Sequence, residues 1–554
     1  MGARFDSAIR LFHTARFLKP VQIYGRVWHA IRSVRPDTSP SPALREMPGQ
    51  WCSPVSSERT FFDGWRFRFL NIDHHLVIPE DWDLVSIEKL WLYNLHYFSD
   101  LNAMDAMDRR AIHGEWIQRW ITEVPAGRGV GWEPYPLSLR IVNWTKWILS
   151  GGDRFAEMHQ SLAVQARYLR RCPEVHLLGN HLFENAKALT FAGIFFNGDE
   201  AADWLKKGIE ILKGQIHAQI LPDGGHFELS PMYHAQILEG VLDLINLDRT
   251  SGGLISRAMG DLDLARIASR MLIWLNEMRH PDGDISFFND ATLGVAPTYY
   301  QLTSYAQLLG ISVLCKSRQN SDAPSIFHLP DSGYIRVDWA DATAILDASR
   351  IGPDYLPAHA HADSLSFELS LHGQRAIVNS GTSCYGTSAE RLRQRGTAAH
   401  NTVVVDGENS SEVWGGFRVA RRAYPMGIRT QQVANGLEIQ CTHTGYRRLP
   451  GKVLHQRSWL CEQNGLTVHD QLSGKFKYAE ANFHFHPEIH VVSVGERIFH
   501  LLCGDSRLML MEIGDCLAAT AAVSTWHPGF GLAISNQRIT IRFLGNSLTT
   551  RFSW

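Results

Sequence analysis

The sequence carries no Cys-x-x-Cys pair, and its eight cysteines stand singly between Cys52 and Cys516. That spacing argues against a zinc ribbon or a dithiol redox centre and leaves buried free thiols as the expected state. An excess of charge is also missing: 54 Lys and Arg against 56 Asp and Glu leave a formal charge of -2. No overall field draws the chain to nucleic acid or to an anionic surface. No uninterrupted apolar run reaches the roughly eighteen residues of a membrane span, so no transmembrane segment is expected. The N-terminus, MGARFDSAIRLFHTARFLKPVQIYGRVWHAIR, scatters Arg and Lys among apolar residues. It therefore offers no clean hydrophobic signal-peptide region and no cleavage site, and the expected location is cytoplasmic. This basic amphipathic start packs on its own domain or touches a membrane. Regular alternation of strand and helix is absent, as are short repeats, which excludes a parallel α/β sheet and a solenoid.

What the chain has is length, aromatic rings and two periodicities. At 554 residues, with 45% apolar and 20% charged, it reads as an ordinary globular protein of two or three domains. Twelve of its seventeen tryptophans precede residue 320, suited to helical cores and, in places, to stacking on sugar rings. Between about residues 85 and 315 apolar residues recur at three and four. Phe155, Met158, Leu162, Ala166 and Leu169 form one stripe, Ile237, Val241 and Leu244 a second, and Leu264, Ile267, Met271, Leu275 and Met278 a third. Lys316 to Ser325 is polar and rich in turn formers, which marks a boundary. Beyond it the period falls to two, in Ala376-Ile-Val378, Thr402-Val-Val-Val405 and Arg538-Ile-Thr-Ile-Arg-Phe543. The fold class is therefore α+β and multidomain: a mixed helical and irregular extension over 1–84, a helical domain over 85–318 and an antiparallel β domain over 326–554.

The densest chemistry lies in His359-Ala-His361-Ala-Asp363-Ser-Leu365-Ser-Phe367-Glu-Leu369. If the strand begins early enough, alternation puts both histidines and the aspartate on one face, where they suit a cleft or a metal. In the helical half, Gly179-Asn180-His181 opens an apolar periodic segment with Asn180 in the N-cap position. The loop from Asp223 to His234 gathers His226, Glu228, Tyr233 and His234, either to line a cleft or to anchor the following helix through Tyr233. His484 and His486 read as sheet residues, and Asp290 either as a residue reaching the cleft or, as acidic loop ends usually are, as a cap.

These motifs together resemble the heparinase II/III superfamily of polysaccharide lyases. In order they are Trp91-Leu-Tyr93-Asn94-Leu-His96-Tyr97-Phe98, Trp132-Glu-Pro-Tyr135-Pro-Leu-Ser-Leu-Arg140, Gly179-Asn180-His181, Ser230-Pro-Met-Tyr233, His359-Ala-His361-Ala-Asp363 and Gly396-Thr-Ala-Ala-His400-Asn401-Thr402. The resemblance implies an N-terminal α/α toroid of helical hairpins packed on a C-terminal antiparallel β-sandwich, with the cleft between them. It also implies β-elimination on a uronic-acid-containing polysaccharide. The C5 proton is weakly acidic, so the neighbouring carboxylate must be neutralised by preorganised donors. By resemblance Asn180 and His359 are those donors, Tyr233 is the acid and for same-face elimination also the base, and His181 is the base for the opposite face. That role asks for nearby cations that make the Tyr233 phenol more acidic than its ordinary value of about 10. Trp132, Tyr135, Arg140 and His234 are the candidate substrate-binding residues, offering ring faces to sugars and a guanidinium to a uronate.

No cofactor is required by such chemistry. The resemblance does imply a structural zinc in the β domain, on His361, His400 and a third ligand whose position holds Asn379. A neutral amide is a poorer ligand than a carboxylate, so the site is weakened, altered or empty unless Asp363 lies close. The expected partner is an acidic polysaccharide. An acidic bacterial exopolysaccharide is preferred because no dense Lys/Arg cluster demands heavy sulfation, and relatives of this kind work in the periplasm or cell envelope. Two other readings stay open, a uronate C5-epimerase and a non-catalytic binder of acidic glycans. A metal-dependent barrel hydrolase is disfavoured, because its HxH pair needs strand and helix to alternate.

Overall fold

The computed structural model describes residues 2–312, 323–339 and 341–554, and most of the boundary segment Lys316 to Ser325 lies outside the described residues. Two helices, Gly2–Ala15 and Pro20–Ile31, open the chain. An irregular strap and a three-stranded sheet over Phe61–Phe62, Arg66–Phe69 and Ile72–His75 follow. From Lys89 to Leu308 the chain is helical. All three apolar stripes face inward: Met158, Leu162, Ile237, Val241, Met271 and Leu275 are buried. The indoles are spent the same way, with Trp82, Trp91, Trp116, Trp120, Trp144 and Trp147 fully buried. Helices Gly179–Phe195 and Asp199–Gln219 pack closely because Gly208 lacks a side chain; a Cβ there would stand 2.5 Å from Thr190 Oγ1.

Beyond residue 323 every ladder between the named strands is antiparallel. A five-stranded sheet runs from Ser325 to Ile377 and a four-stranded sheet joins Val403–Val405 to Ala479–His484, Ile534–Phe543 and Ala518–Trp526. An eight-stranded sheet takes the remaining long strands, and one apolar core containing Ile335, Phe367, Val403, Trp459, Phe483 and Phe552 joins all three. Period two gave these strands their inward faces. The HxHxD segment departs from that pattern: the strand begins only at Phe367, and residues 359–366 are an irregular loop.

The helical and β halves are fastened by buried polar contacts. Tyr334 Oη donates to the Leu229 carbonyl at 2.7 Å, Trp274 Nε1 to Ser332 Oγ at 2.9 Å, and His280 Nε2 lies 2.9 Å from Glu368. Such fixed contacts hold a site between the halves in register.

Buried histidines make this fold sensitive to acid. Burial pushes His96, His234, His400 and His484 from 6.5 down to about 3, and His361 to about 4. Between pH 6.5 and about 4 the unfolded chain therefore binds protons that the native state refuses. Stability is expected to drop as pH falls through that window, by up to about 1.4 kcal/mol per pH unit for each histidine. Melting temperatures at pH 7 and pH 5 check this; equal values would contradict it.

Candidate active site

Four separated segments converge between the two halves, and each bends through a non-glycine residue of left-handed backbone. Leu178 (φ 63) precedes Asn180, Leu229 (φ 58) precedes Ser230, Asn289 (φ 56) precedes Asp290, and Leu365 (φ 63) follows Asp363. Such conformations cost free energy and persist where the surroundings enforce them. Gly179 (φ 57) continues the first bend, and a Cβ on it would stand 2.8 Å from Glu228 Oε1. The helix Gly179–Phe195 has Leu178 at its N-cap, so Asn180 is not the cap; it lies in the first turn, where its Oδ1 accepts from the His181 amide at 2.9 Å. Tyr233 stands in the first turn of Pro231–Thr250, placed by Ser230, whose hydroxyl caps the Tyr233 amide at 3.2 Å with Pro231 at the first helical position.

Tyr233 and His359 come from different halves and meet ring to ring, with centroids 3.9 Å apart. The Tyr233 hydroxyl lies 2.7 Å from that of Tyr385. His359 Nδ1 is 2.9 Å from Asp290 Oδ2, which turns Nε2 towards Glu228, 3.9 Å away. Asp290 is the hub of the cluster rather than a loop cap. It also holds His361 Nε2 at 2.8 Å and takes both terminal nitrogens of Arg391, one at 2.7 Å. Burial alone would raise the Asp290 carboxyl, but the Arg391 guanidinium and the two imidazoles hold it well below the usual carboxylate range. Arg391 itself lies over the rings of Tyr385 and Phe417, at 5.0 and 5.5 Å.

The Tyr233 phenol is not made more acidic. Burial, the neighbouring Tyr385 and the Asp290 charge push it well above 10, so it stays a protonated donor. His181 flanks the same region: its Nδ1 is 3.1 Å from Glu174 Oε1 and its ring 4.3 Å from that of Tyr135. Burial would lower this imidazole, yet Glu174 outweighs it and raises the value. Glu228 is buried with Oε2 lacking any hydrogen-bond partner among the described residues, and burial lifts its carboxyl above the ordinary value.

Three substrate-binding expectations are corrected by where the side chains lie. Arg140 is wholly buried, its guanidinium donating to Gln165 at 2.9 Å and to the Gly131 carbonyl at 2.8 Å and lying 3.9 Å over Trp120. With those donors spent it supports the helical core. His234 is likewise internal, accepting from the His226 amide at 3.2 Å, meeting the Met271 carbonyl at 2.9 Å and stacking on Trp274. Trp132 packs on Trp120 and Tyr168 and faces a side cavity of about 300 Å³ along the edge of the second helix, lined also by Gly25 and His176. Tyr135 alone of that group stands beside a candidate catalytic residue.

The implied metal is tested by the donors present. His361 Nδ1 and His400 Nε2 face each other at 3.3 Å, and one ligand atom each of His361, Asp363 and His400 falls within 4.8 Å of the others. Asp290 fixes which nitrogen of His361 points inward, and burial keeps both imidazoles in the neutral, ligating form. This set fits a small divalent ion. The side-chain oxygen of Asn379, the expected third ligand, accepts from the Asn401 amide at 3.3 Å, and the Asp363 carboxylate stands close enough to His361 and His400 to complete a carboxylate-bearing set. Adding zinc to metal-stripped protein is expected to raise its melting temperature, and Asp363→Ala to cancel that rise. An equal rise in the variant would contradict the assignment.

Sequence reasoning missed Asp290 as a hub and missed Arg391, Tyr385 and Glu174 altogether. Asp290 carried a signal in the polar run Ser286-Phe-Phe-Asn289-Asp290 before the HxHxD segment; Tyr385 and Arg391 carried none, since loop residues pair only once the fold is formed.

Comparison with known proteins places these features in a family. Residues 118–310 match the model "Heparinase II/III N-terminus" and residues 321–554 the model "Heparinase II/III-like, C-terminal". A heparin-sulfate lyase of Bacteroides stercoris is 28% identical over 256 residues, which cover 42% of this chain and 38% of that protein. The chain thus spans well under half the length of that relative. FtsZ-localized protein C of Caulobacter vibrioides is 23% identical over 501 residues, covering 84% of this chain and 81% of that protein. Among solved structures, heparinase III superposes with a TM-score of 0.66 at 18% identity, over 88% of this chain and 79% of that one. Heparan sulfate lyase HepC from Pedobacter heparinus gives 0.58 at 16% identity, over 96% and 87%. At these identities the structural likenesses establish the fold, a helical toroid followed by a multi-stranded β domain.

Proposed function

Because the chain belongs to the heparinase II/III superfamily, we propose that it is a polysaccharide lyase cleaving a uronic-acid-containing polymer by β-elimination. The observation that carries this reading is the contact of the Tyr233 and His359 rings across the two halves, tilted by 33° with centroids 3.9 Å apart, with His359 oriented by Asp290. Asn180 and His359 Nε2 neutralise the uronate carboxylate, which lets the C5 proton leave. His181, whose affinity for a proton Glu174 raises, takes that proton when it lies on the face opposite Tyr233. The electrons form the C4=C5 double bond, the C4–O4 bond breaks, and the Tyr233 hydroxyl protonates the departing O4. Same-face elimination would need Tyr233 as the base before it serves as the acid, and the surroundings that keep its phenol protonated favour the opposite-face route. A divalent ion on His361, Asp363 and His400 would brace the loop that carries His359 and His361.

Polymers with little or no sulfate suit the site best. Of the guanidiniums packed on this cluster, Arg391 is paired with Asp290, and Arg395 spends Nε and one terminal nitrogen on the carbonyls of Ala360 and Gly416. Digestion of a uronate polymer in heavy water, read by proton spectroscopy, tests the reading. A lyase gives a new unsaturated residue at the non-reducing end. A C5-epimerase gives intact chains with deuterium at C5, and a binder gives neither.

A second reading follows from the long sequence match to FtsZ-localized protein C, which spans 84% of this chain and 81% of that protein. In it the chain also associates with FtsZ. Co-sedimentation with assembled FtsZ supports that association, and its absence removes it.

A further inference from the structure

The helix Pro20–Ile31 is amphipathic with its faces reversed. Its buried positions are Gln22 and Gly25: Gln22 donates to the Tyr355 carbonyl at 3.0 Å, and Gly25 rests on His176. Its apolar residues point outward instead. Ile23, Tyr24, Val27, Trp28 and Ile31 recur at four-residue spacing along one stripe, and each is more than half exposed, from 55% to 71%. Leu11 and Phe12 of the preceding helix are equally exposed, at 54% and 65%. Large contiguous apolar exposure of this kind marks a surface that something covers.

Charge identifies the cover. The first 35 residues hold six Arg and one Lys against a single Asp, although the chain as a whole carries -2. Arg10, Arg16, Arg26 and Arg32 are exposed along the two helices. An outward stripe of Trp, Tyr and branched aliphatics flanked by guanidiniums has the composition of a helix lying in a lipid interface: rings sit at headgroup depth while cations meet anionic lipid. The helix is too short, and its apolar stripe too narrow, to cross a bilayer, and no helix among the described residues is long and apolar enough to do so.

We propose that the face formed by Pro20–Ile31, with Leu11 and Phe12 beside it, docks the protein peripherally on an anionic lipid membrane. The proposal does not rest on the lyase reading, because none of these residues belongs to the catalytic cluster. The helix is tied to the loop that leads into the HxHxD segment through Gln22 and Tyr355, so docking would hold the cleft near the membrane surface.

Vesicle flotation with the full chain tests it. The wild-type protein should float with mixed phosphatidylcholine–phosphatidylglycerol vesicles and not with phosphatidylcholine alone. The doubly substituted Trp28→Glu, Ile31→Glu protein, and separately Arg26→Glu, Arg32→Glu, should bind about tenfold or more weakly. High salt should weaken the wild type, since surface attraction to anionic lipid is screened. These side chains are exposed, so melting temperature should be unchanged; if the first variant misfolds, the charge variant carries the test. Failure of the wild type to float, or equal floating of well-folded variants, overturns the proposal. A concentration-dependent dimer that Trp28→Glu dissociates, with no flotation, would assign the face to a second copy of the chain and overturn it as well.

Discussion

Replacing Asp290 with alanine lowers stability by about 3–5 kcal/mol and removes turnover in the same step. The carboxylate is fully buried and balances Arg391, also fully buried, so its loss strands a guanidinium in the interior. Breaking a buried pair by deleting one member costs about that much, because the remaining charge has neither partner nor water. Turnover falls because His359 and His361 lose the acceptor that fixes their orientation. Asp290→Asn separates the two effects. It keeps the shape and part of the bonding but removes the charge, so a folded protein with at least a hundredfold lower kcat is expected. Chemical denaturation of both variants, with kcat measured on each that folds, checks this. An Asp290→Ala protein as stable as the wild type would contradict the hub assignment.

Tyr233→Phe is expected to reduce kcat by about a hundredfold to ten-thousandfold while KM changes little. The substitution keeps the ring packed against His359 and deletes only the hydroxyl that the proposed chemistry uses. Its structural cost is the bond to Tyr385, worth about 1 kcal/mol. Steady-state kinetics beside a melting curve separates the roles: a merely structural tyrosine would lose stability and keep its rate per folded molecule. A Tyr385→Phe protein should retain far more activity when proton and leaving group lie on opposite faces, since Tyr385 then only positions the donor.

The legible parts of this protein were those written as local periodicity. The stripes through Met158, Ile237 and Met271 declared helices, and the alternating segments near Val403 and Ile539 declared strands, because burial of one face leaves its period in the sequence. Histidines two apart suggested a site from their chemistry, whereas Asn180 with His181 and the Pro231-Met-Tyr233 helix start pointed to one only through the order of motifs that carries the family resemblance. The shape of that site could not. His359 and His361 meet one carboxylate through a loop bent at Leu365, not through a strand face, and nothing local marks Leu365 for a left-handed backbone. Arg140 shows the opposite failure: a guanidinium among aromatics suggested a uronate, whereas it lies wholly buried and donates to Gln165 and the Gly131 carbonyl inside the helical core. Long polar side chains are ambiguous in sequence because a few internal acceptors satisfy them as well as a ligand does.

The measurement that tests the central claim most directly is the ultraviolet absorbance of the purified protein incubated with a panel of uronate polymers, from unsulfated to heavily sulfated. Elimination creates a conjugated unsaturated uronate, so absorbance should rise with at least one polymer, most strongly with one carrying little sulfate, and should stay flat for Tyr233→Phe. A polymer that binds the wild-type protein while absorbance stays flat for every member of the panel would contradict the lyase assignment.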